Sequence, residues 1–223
     1  MFVAAIDLIY ECLFWLCGAV MILLFGYRVE HRRRVPRTGP VLLIANHQSY
    51  IDIVALGLAS RRRVYFLAKK PLFNSRLLGG FMRAFDTISV DSTGFSRSGL
   101  EGILEHINRG LTVLVFPEGE RCWDGKVSEL KPGVTLLIRK SKATVVPMGL
   151  AGAFESWPRQ RRLPRFAPPF LSWSRGRIAV SVGHALDGEQ LAKLPRDEVM
   201  AILQTELQKA VQRAERLHRG SSN

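Results

Sequence analysis

Cysteine is scarce, with three residues in a chain of 223. Cys12 and Cys17 fall inside an apolar N-terminal segment and Cys122 stands alone. That number and spacing exclude a disulfide framework and a zinc pattern, and the main body fits a reducing cytosol. There is no metal-ligand cluster and no Gly-x-Ser-x-Gly elbow, so the sequence offers neither a metal site nor a serine nucleophile of that kind. No internal repeat is present, which argues against a solenoid. The start carries acids rather than bases and no small-x-small site follows, so a cleaved signal peptide is not expected. Acidic residues are also few: 19 Asp and Glu stand against 32 Lys and Arg, a net charge of +13 and a pI near 10.4. Such a balance calls for an anionic partner: nucleic acid, a phosphorylated substrate or an acidic membrane leaflet.

One long apolar run is present, residues 2–27, interrupted by Asp7 and Glu11. Its unbroken part, Cys12 to Tyr27, is shorter than the roughly 20 residues a spanning helix needs, but counted from Phe2 the length suffices. Arg28, His31-Arg32-Arg33-Arg34 and Arg37 follow directly. An apolar helix and then a basic cluster predict a membrane anchor over 1–30 with its following end in the cytoplasm, spanning or in-plane. The expected location is therefore the cytoplasmic face of a membrane, the inner one in a bacterium.

From Pro36 the pattern alternates. Strands are predicted at Val41–Ala45, Val64–Ala68, Thr87–Val90, Leu111–Phe116, Thr144–Met148 and Arg177–Val182, with helices over Pro71–Phe85, 98–109 and Gly133–Ser141. This alternation predicts an α/β fold, a single layered domain whose mostly parallel sheet is flanked by helices. Its core is expected over 36–155, and 156–223 should complete the same domain, closing on an amphipathic helix over Arg196–Arg219. Residues 155–177 break the rhythm with six Arg, four Pro, Trp157, Phe166, Phe170 and Trp173. Aromatics among arginines suit lipid headgroups or single-stranded nucleic acid. With an apolar N-terminal segment in the same chain, lipid is the expected partner and nucleic acid is not.

Two stretches carry chemistry. Val41-Leu42-Leu43-Ile44 runs into Ala45-Asn46-His47-Gln48-Ser49-Tyr50-Ile51-Asp52, which puts His47 in a strand-to-helix turn and Asp52 in the first turn of the helix. Open α/β sheets place ligands at such edges. A carboxylate on one imidazole nitrogen fixes the tautomer and frees the other nitrogen to take a proton. Ser49-x-x-Asp52 also reads as a capping box, with His47 a hydrogen-bonded turn residue. The second stretch, Leu111-Thr-Val-Leu-Val-Phe116, ends in Pro117-Glu118-Gly119-Glu120-Arg121. Gly119 permits a sharp turn and close backbone approach. Arg121 can clamp a phosphate, and Glu118 can hold an arginine or a hydroxyl.

Asn46-His47-Gln48-Ser49-Tyr50-Ile51-Asp52 resembles the His-x4-Asp block of the glycerolipid acyltransferases, which include the 1-acyl-glycerol-3-phosphate acyltransferases. Phe116-Pro117-Glu118-Gly119-Glu120-Arg121 resembles their Phe-Pro-Glu-Gly-Thr-Arg block. Lys69 falls where the family has a lysine leading into its second block. Lys131-Pro132-Gly133 is similar to the basic stretch after the third, and Val146-Pro147 to the proline of the fourth. The similarity spans roughly 40–150. Glu120 stands where threonine is usual, and Val90-Asp91-Ser92 lacks the arginine that usually ends the second block. In the family that arginine is associated with the acceptor's phosphate, so Arg83, Arg97 or Lys69 must substitute, or the acceptor carries another headgroup.

The resemblance implies transfer of a fatty acyl group from a thioester to a lysophospholipid hydroxyl. The acceptor would be 1-acyl-sn-glycerol-3-phosphate, with glycerol 3-phosphate, a non-phosphate lyso-lipid or a thioesterase-like hydrolysis as alternatives. Acyl-CoA or acyl carrier protein would be the co-substrate, with no cofactor and no metal. His47 and Asp52 would be catalytic, and Glu118, Gly119, Arg121, Lys69 and Lys131 would bind substrate. Amides at the helix start after His47 are the expected oxyanion donors, and Cys122 is incidental.

Overall fold

A computed structural model of the chain describes residues 2–69, 80, 87–90, 97–168 and 177–220, and side chains there except at 2–9, 68–69, 88–90 and 97–98. Strand β2 (Val41–Ala45) is buried along its whole length, as a run apolar on both faces requires. It pairs in parallel with β5 (Thr112–Val115) on one side and β6 (Thr144–Ala151) on the other. Beyond β5 lie β3 (Val64–Lys69) and β4 (Ile88–Val90); beyond β6 lie β7 (Ala179–Val182) and β1 (Arg28–Glu30). The order is β1-β7-β6-β2-β5-β3-β4, and only β6 with β7 is antiparallel. The chain builds first on one side of β2 and then crosses to the other, so the carboxyl end of β2 lies at the switch where open sheets leave a crevice.

Alternate residues of β2 face opposite cores. Val41, Leu43 and Ala45 pack with α1 (Phe2–Phe25) and α2 (Asp52–Ser60). Leu42 and Ile44 pack with α3 (Arg97–Asn108), α4 (Gly133–Ser141), α6 (Gly188–Lys193) and α7 (Arg196–Arg219). A short α5 (Ala153–Ser156) follows β6. Helix α3 buries Ile103 and Ile107 and stops at Gly110, whose φ of 77° closes the turn. Helix α7 buries Val199, Leu203, Leu207, Ala210 and Ala214.

The expected single layered domain with its mostly parallel sheet is what forms. The strand β1 falls where the sequence suggested only a basic exit from the first helix. Its three residues pair with β7, some 150 positions away, a partner no local pattern announces. Helix α1 lies on the domain, with Met21 and Phe25 buried in the core it shares with β2. Among the described residues no helix is long and apolar enough to cross a membrane. The basic cluster is partly tied down: Arg32 Nη2 donates to the Leu58 carbonyl at 3.1 Å and Arg34 Nη1 to that of Val182 at 3.0 Å. The helix expected over Pro71–Phe85 lies outside the described residues apart from Gly80.

Helix α7 seats directly on β6, where a Cβ built on Gly149 would fall 2.1 Å from the Ala210 carbonyl carbon. Gly149→Ala should therefore cost about 3 kcal/mol or more of stability, because backbone must move. Denaturant unfolding measures it as a lowered midpoint.

Candidate active site

The turn between β2 and α2 is held by its own polar residues. Asn46 donates through Nδ2 to the Leu150 carbonyl at 2.9 Å and accepts the Leu150 amide at 2.8 Å, fastening the turn to β6. Gln48 Nε2 donates to the Gly125 carbonyl at 3.1 Å, and Ser49 Oγ to that of Trp157 at 2.7 Å. His47 projects to the surface: its side chain is 18% exposed, whereas that of Asp52 is fully buried.

Asp52 Oδ2 accepts the Gln48 amide at 2.6 Å, the Ser49 amide at 2.7 Å and His47 Nδ1 at 2.8 Å. The two backbone donors aim the carboxylate at the ring. The third contact takes Nδ1–H, which leaves the Nε2 lone pair for a proton from outside. Of the capping box only the carboxylate half forms, and it shares Asp52 with the imidazole contact. The Ser49 amide makes the capping contact, while the Ser49 hydroxyl goes to Trp157. Of the amides after His47, those of Gln48 and Ser49 are taken up by Asp52, and the amide of His47 itself by Glu118, so these three are engaged within the turn.

The turn after β5 completes the edge. Phe116 stacks on the imidazole, ring centroids 3.8 Å apart and planes within 11°, which fixes the ring plane. Glu118 is buried, and its Oε1 accepts the His47 amide while Oε2 accepts that of Ser128, each at 2.7 Å. Burial pushes the Glu118 carboxyl up, against those two amides and the nearby imidazole. The Cys122 amide returns to the His47 carbonyl at 2.8 Å. Gly119 has φ 80°, and a Cβ there would fall 2.6 Å from Lys131 Nζ, so the lysine lies across the bare glycine. Arg121 places its guanidinium 3.6 Å from the Tyr50 ring centroid, with Nη1 buried and without a hydrogen-bond partner.

Six of the seven candidates therefore meet at one edge: His47, Asp52, Glu118, Gly119, Arg121 and Lys131. Lys69 ends β3, a parallel strand, and so shares that edge by backbone position, but its side chain is not among those described. Of the arginines considered as substitutes in the second block, Arg83 and the side chain of Arg97 also lie outside the described residues. Sequence reasoning missed Phe116, Tyr50 and Arg159 as site residues. Arg159 stacks on Trp123, 3.5 Å from its ring centroid, and Nη1 reaches the Arg121 carbonyl at 3.3 Å and Glu120 Oε2 at 3.4 Å. The arginine and aromatic content of 155–177 flagged this segment, but not where it returns.

A family profile described as Acyltransferase matches residues 26–151, more than half of the chain. The chain belongs to the acyltransferase family. It is similar to the 1-acyl-sn-glycerol-3-phosphate acyltransferase of Bacillus subtilis, at 22% identity over 191 residues, 85% of this chain and 88% of that one. The protein of that name in Saccharomyces cerevisiae is 28% identical over 164 residues, 69% of this chain and 50% of the yeast protein. The crystal structure of the 1-acyl-sn-glycerophosphate acyltransferase PlsC from Thermotoga maritima superposes with a TM-score of 0.78 over 97% of this chain and 83% of that one. At 22% identity it shows the shared fold. In this acyltransferase the matched region contains both turns and Lys131, whereas Trp157 and Arg159 fall beyond it. It is an enzyme that transfers acyl groups, as its family shows.

Cys122 sits beside Arg121 but is 2% exposed, and burial pushes its thiol up to about 11. It is protonated and shielded at neutral pH. Iodoacetamide should leave Cys122 unlabelled in the native enzyme and label it after denaturation, read by peptide mass spectrometry, and Cys122→Ser should retain full transfer.

Proposed function

We propose that this acyltransferase moves a fatty acyl group from a thioester, acyl-CoA or acyl carrier protein, to the free hydroxyl of 1-acyl-sn-glycerol-3-phosphate, giving phosphatidic acid. The observation that carries the chemistry is the 2.8 Å contact of His47 Nδ1 with the buried Asp52, which engages one ring nitrogen and leaves the other, Nε2, for the substrate hydroxyl. The relatives' names support the acceptor. His47 Nε2 takes the hydroxyl proton as that oxygen attacks the thioester carbonyl. Asp52 stabilises the imidazolium, with the Phe116 π-face beside it. The tetrahedral intermediate then expels the thiolate by breaking the C–S bond, and the thiolate takes the proton back from His47. A thiol is a good leaving group, its pKa being about 8.5.

The acceptor phosphate meets Arg121, with Lys131 beside it across Gly119. Arg159 balances Glu120, so the glutamate in place of threonine does not leave a net negative charge on the edge. Arg121 and Lys131 thus remain the cations for the phosphate, in place of the arginine that the second block lacks. The anchor reading also takes its in-plane form: Trp15, Leu16, Ile22 and Leu23 are exposed on α1, an apolar surface suited to the interface at the cytoplasmic face of a membrane.

His47→Ala should lower kcat by about 10³-fold or more with the melting temperature unchanged. The readout is labelled acyl transfer, resolved by mass spectrometry into ester and free acid. Activity near wild type would remove His47 as the base, and free acid in place of ester would make the enzyme a hydrolase. Arg121→Ala should raise KM for 1-acyl-sn-glycerol-3-phosphate by about tenfold while leaving KM for a lyso-lipid without phosphate unchanged.

A further inference from the structure

One cavity lies at the opposite end of α2 from His47. About 570 Å³ in volume, it runs between α1 and the amino-terminal edge of the sheet, with Phe14, Trp15, Ile22 and Leu58 on its apolar wall and Arg32, Arg61 and Arg63 on its rim. The catalytic turn precedes Asp52 at one end of α2, whereas Arg61 to Arg63 follow Ser60 at the other, and the nine-residue helix holds the two about 13 Å apart. A substrate reacting at His47 does not place its phosphate here.

We propose that this groove is a discrete, non-catalytic site for an anionic phospholipid of the bilayer, with the phosphate on the arginine rim and an acyl chain along α1. Three observations carry it. The volume falls in the range of small-molecule sites. The rim is cationic, and among the described residues that line the groove Glu11 is the only acid. The arginines are unequally occupied. Arg62 gives its guanidinium to the carbonyls of Pro36, Gly39 and Gly110 at 3.0, 2.9 and 3.3 Å, so it contributes charge but no donor. Arg61 closes α2 in the left-handed conformation (φ 56°) with its side chain exposed. Arg63 lies over the Tyr10 ring, 4.9 Å from its centroid. Arg32 holds the Leu58 carbonyl through Nη2, while its Nε is buried without a hydrogen-bond partner. Arg61 and Arg32 thus offer donors and Arg62 and Arg63 add charge, an arrangement a phosphate suits, and the apolar wall continues into the exposed face of α1 that meets lipid. This deepens the membrane reading above: attachment has an address in the α2–β3 turn, beyond the diffuse attraction of the Arg28–Arg37 cluster.

The test uses the full chain, floated with phosphatidylcholine vesicles with and without phosphatidylglycerol. Arg61→Glu/Arg63→Glu should weaken binding to the phosphatidylglycerol vesicles about tenfold or more relative to Arg33→Glu/Arg37→Glu, a pair outside the groove with the same change in charge. Ala19→Trp, which fills the groove and alters no charge, should weaken it likewise, and it decides the matter if the double variant does not fold. Equal losses in both double variants, or unchanged binding in Ala19→Trp, would overturn the site. Acyl transfer in zwitterionic micelles should be the same in Arg61→Glu/Arg63→Glu as in wild type. A selective loss there would assign the groove to the acceptor and overturn the non-catalytic role. Wild-type enzyme that binds these vesicles through the groove yet acylates no lyso-lipid would refute the proposed reaction and leave the groove standing.

Discussion

Asp52 Oδ2 sits out of solvent and accepts three N–H donors at 2.6 to 2.8 Å, two from the backbone of its own turn and one from His47. A carboxylate so placed would be costly without those donors. The chain is therefore held in the one conformation that supplies them, and the imidazole is held with it. The reactive edge depends on this contact: it sets the ring's tautomer and direction. Phe116 then fixes the ring plane from the neighbouring strand end.

Glu118 does for the gap between strands what Asp52 does within one turn. Its two oxygens take amides from His47 and Ser128, joining the turn after β2 to the loop after β5. With Glu120 met by Arg159, the acids of this edge are engaged by the protein itself. Arg121 and Lys131 contribute positive charge beside the ring, a distribution fitted to anionic ligands. The net charge of the chain forecast such a partner; the pairing of individual acids decides where the charge acts.

Much of this was legible locally. The buried run Val41–Ala45 and the Leu100, Ile103, Leu104 and Ile107 face of α3 have periods that name their elements. His47 and Asp52 are close enough in sequence for one strand–turn–helix corner to bring them together. Arg159 and Trp123 were illegible as a pair, since 36 positions separate them and their contact needs the loop after β6 to return across the edge. The roles of the amides just before α2 were also hidden. Sequence shows that a helix begins near Asp52, but not that its carboxylate takes up the amides of Gln48 and Ser49.

The sequence by itself determined the alternation of strands and helices, the two turns that carry the chemistry and the cationic excess, because periodicity, turn residues and charge are properties of neighbours along the chain. Only the tertiary structure decided that β2 pairs with β5 and β6, that β1 joins the far edge, and that α1 folds back to leave a groove lined by arginines. Those outcomes rest on pairings between distant segments, where burial of both faces of β2 selects the neighbours and no local signal does.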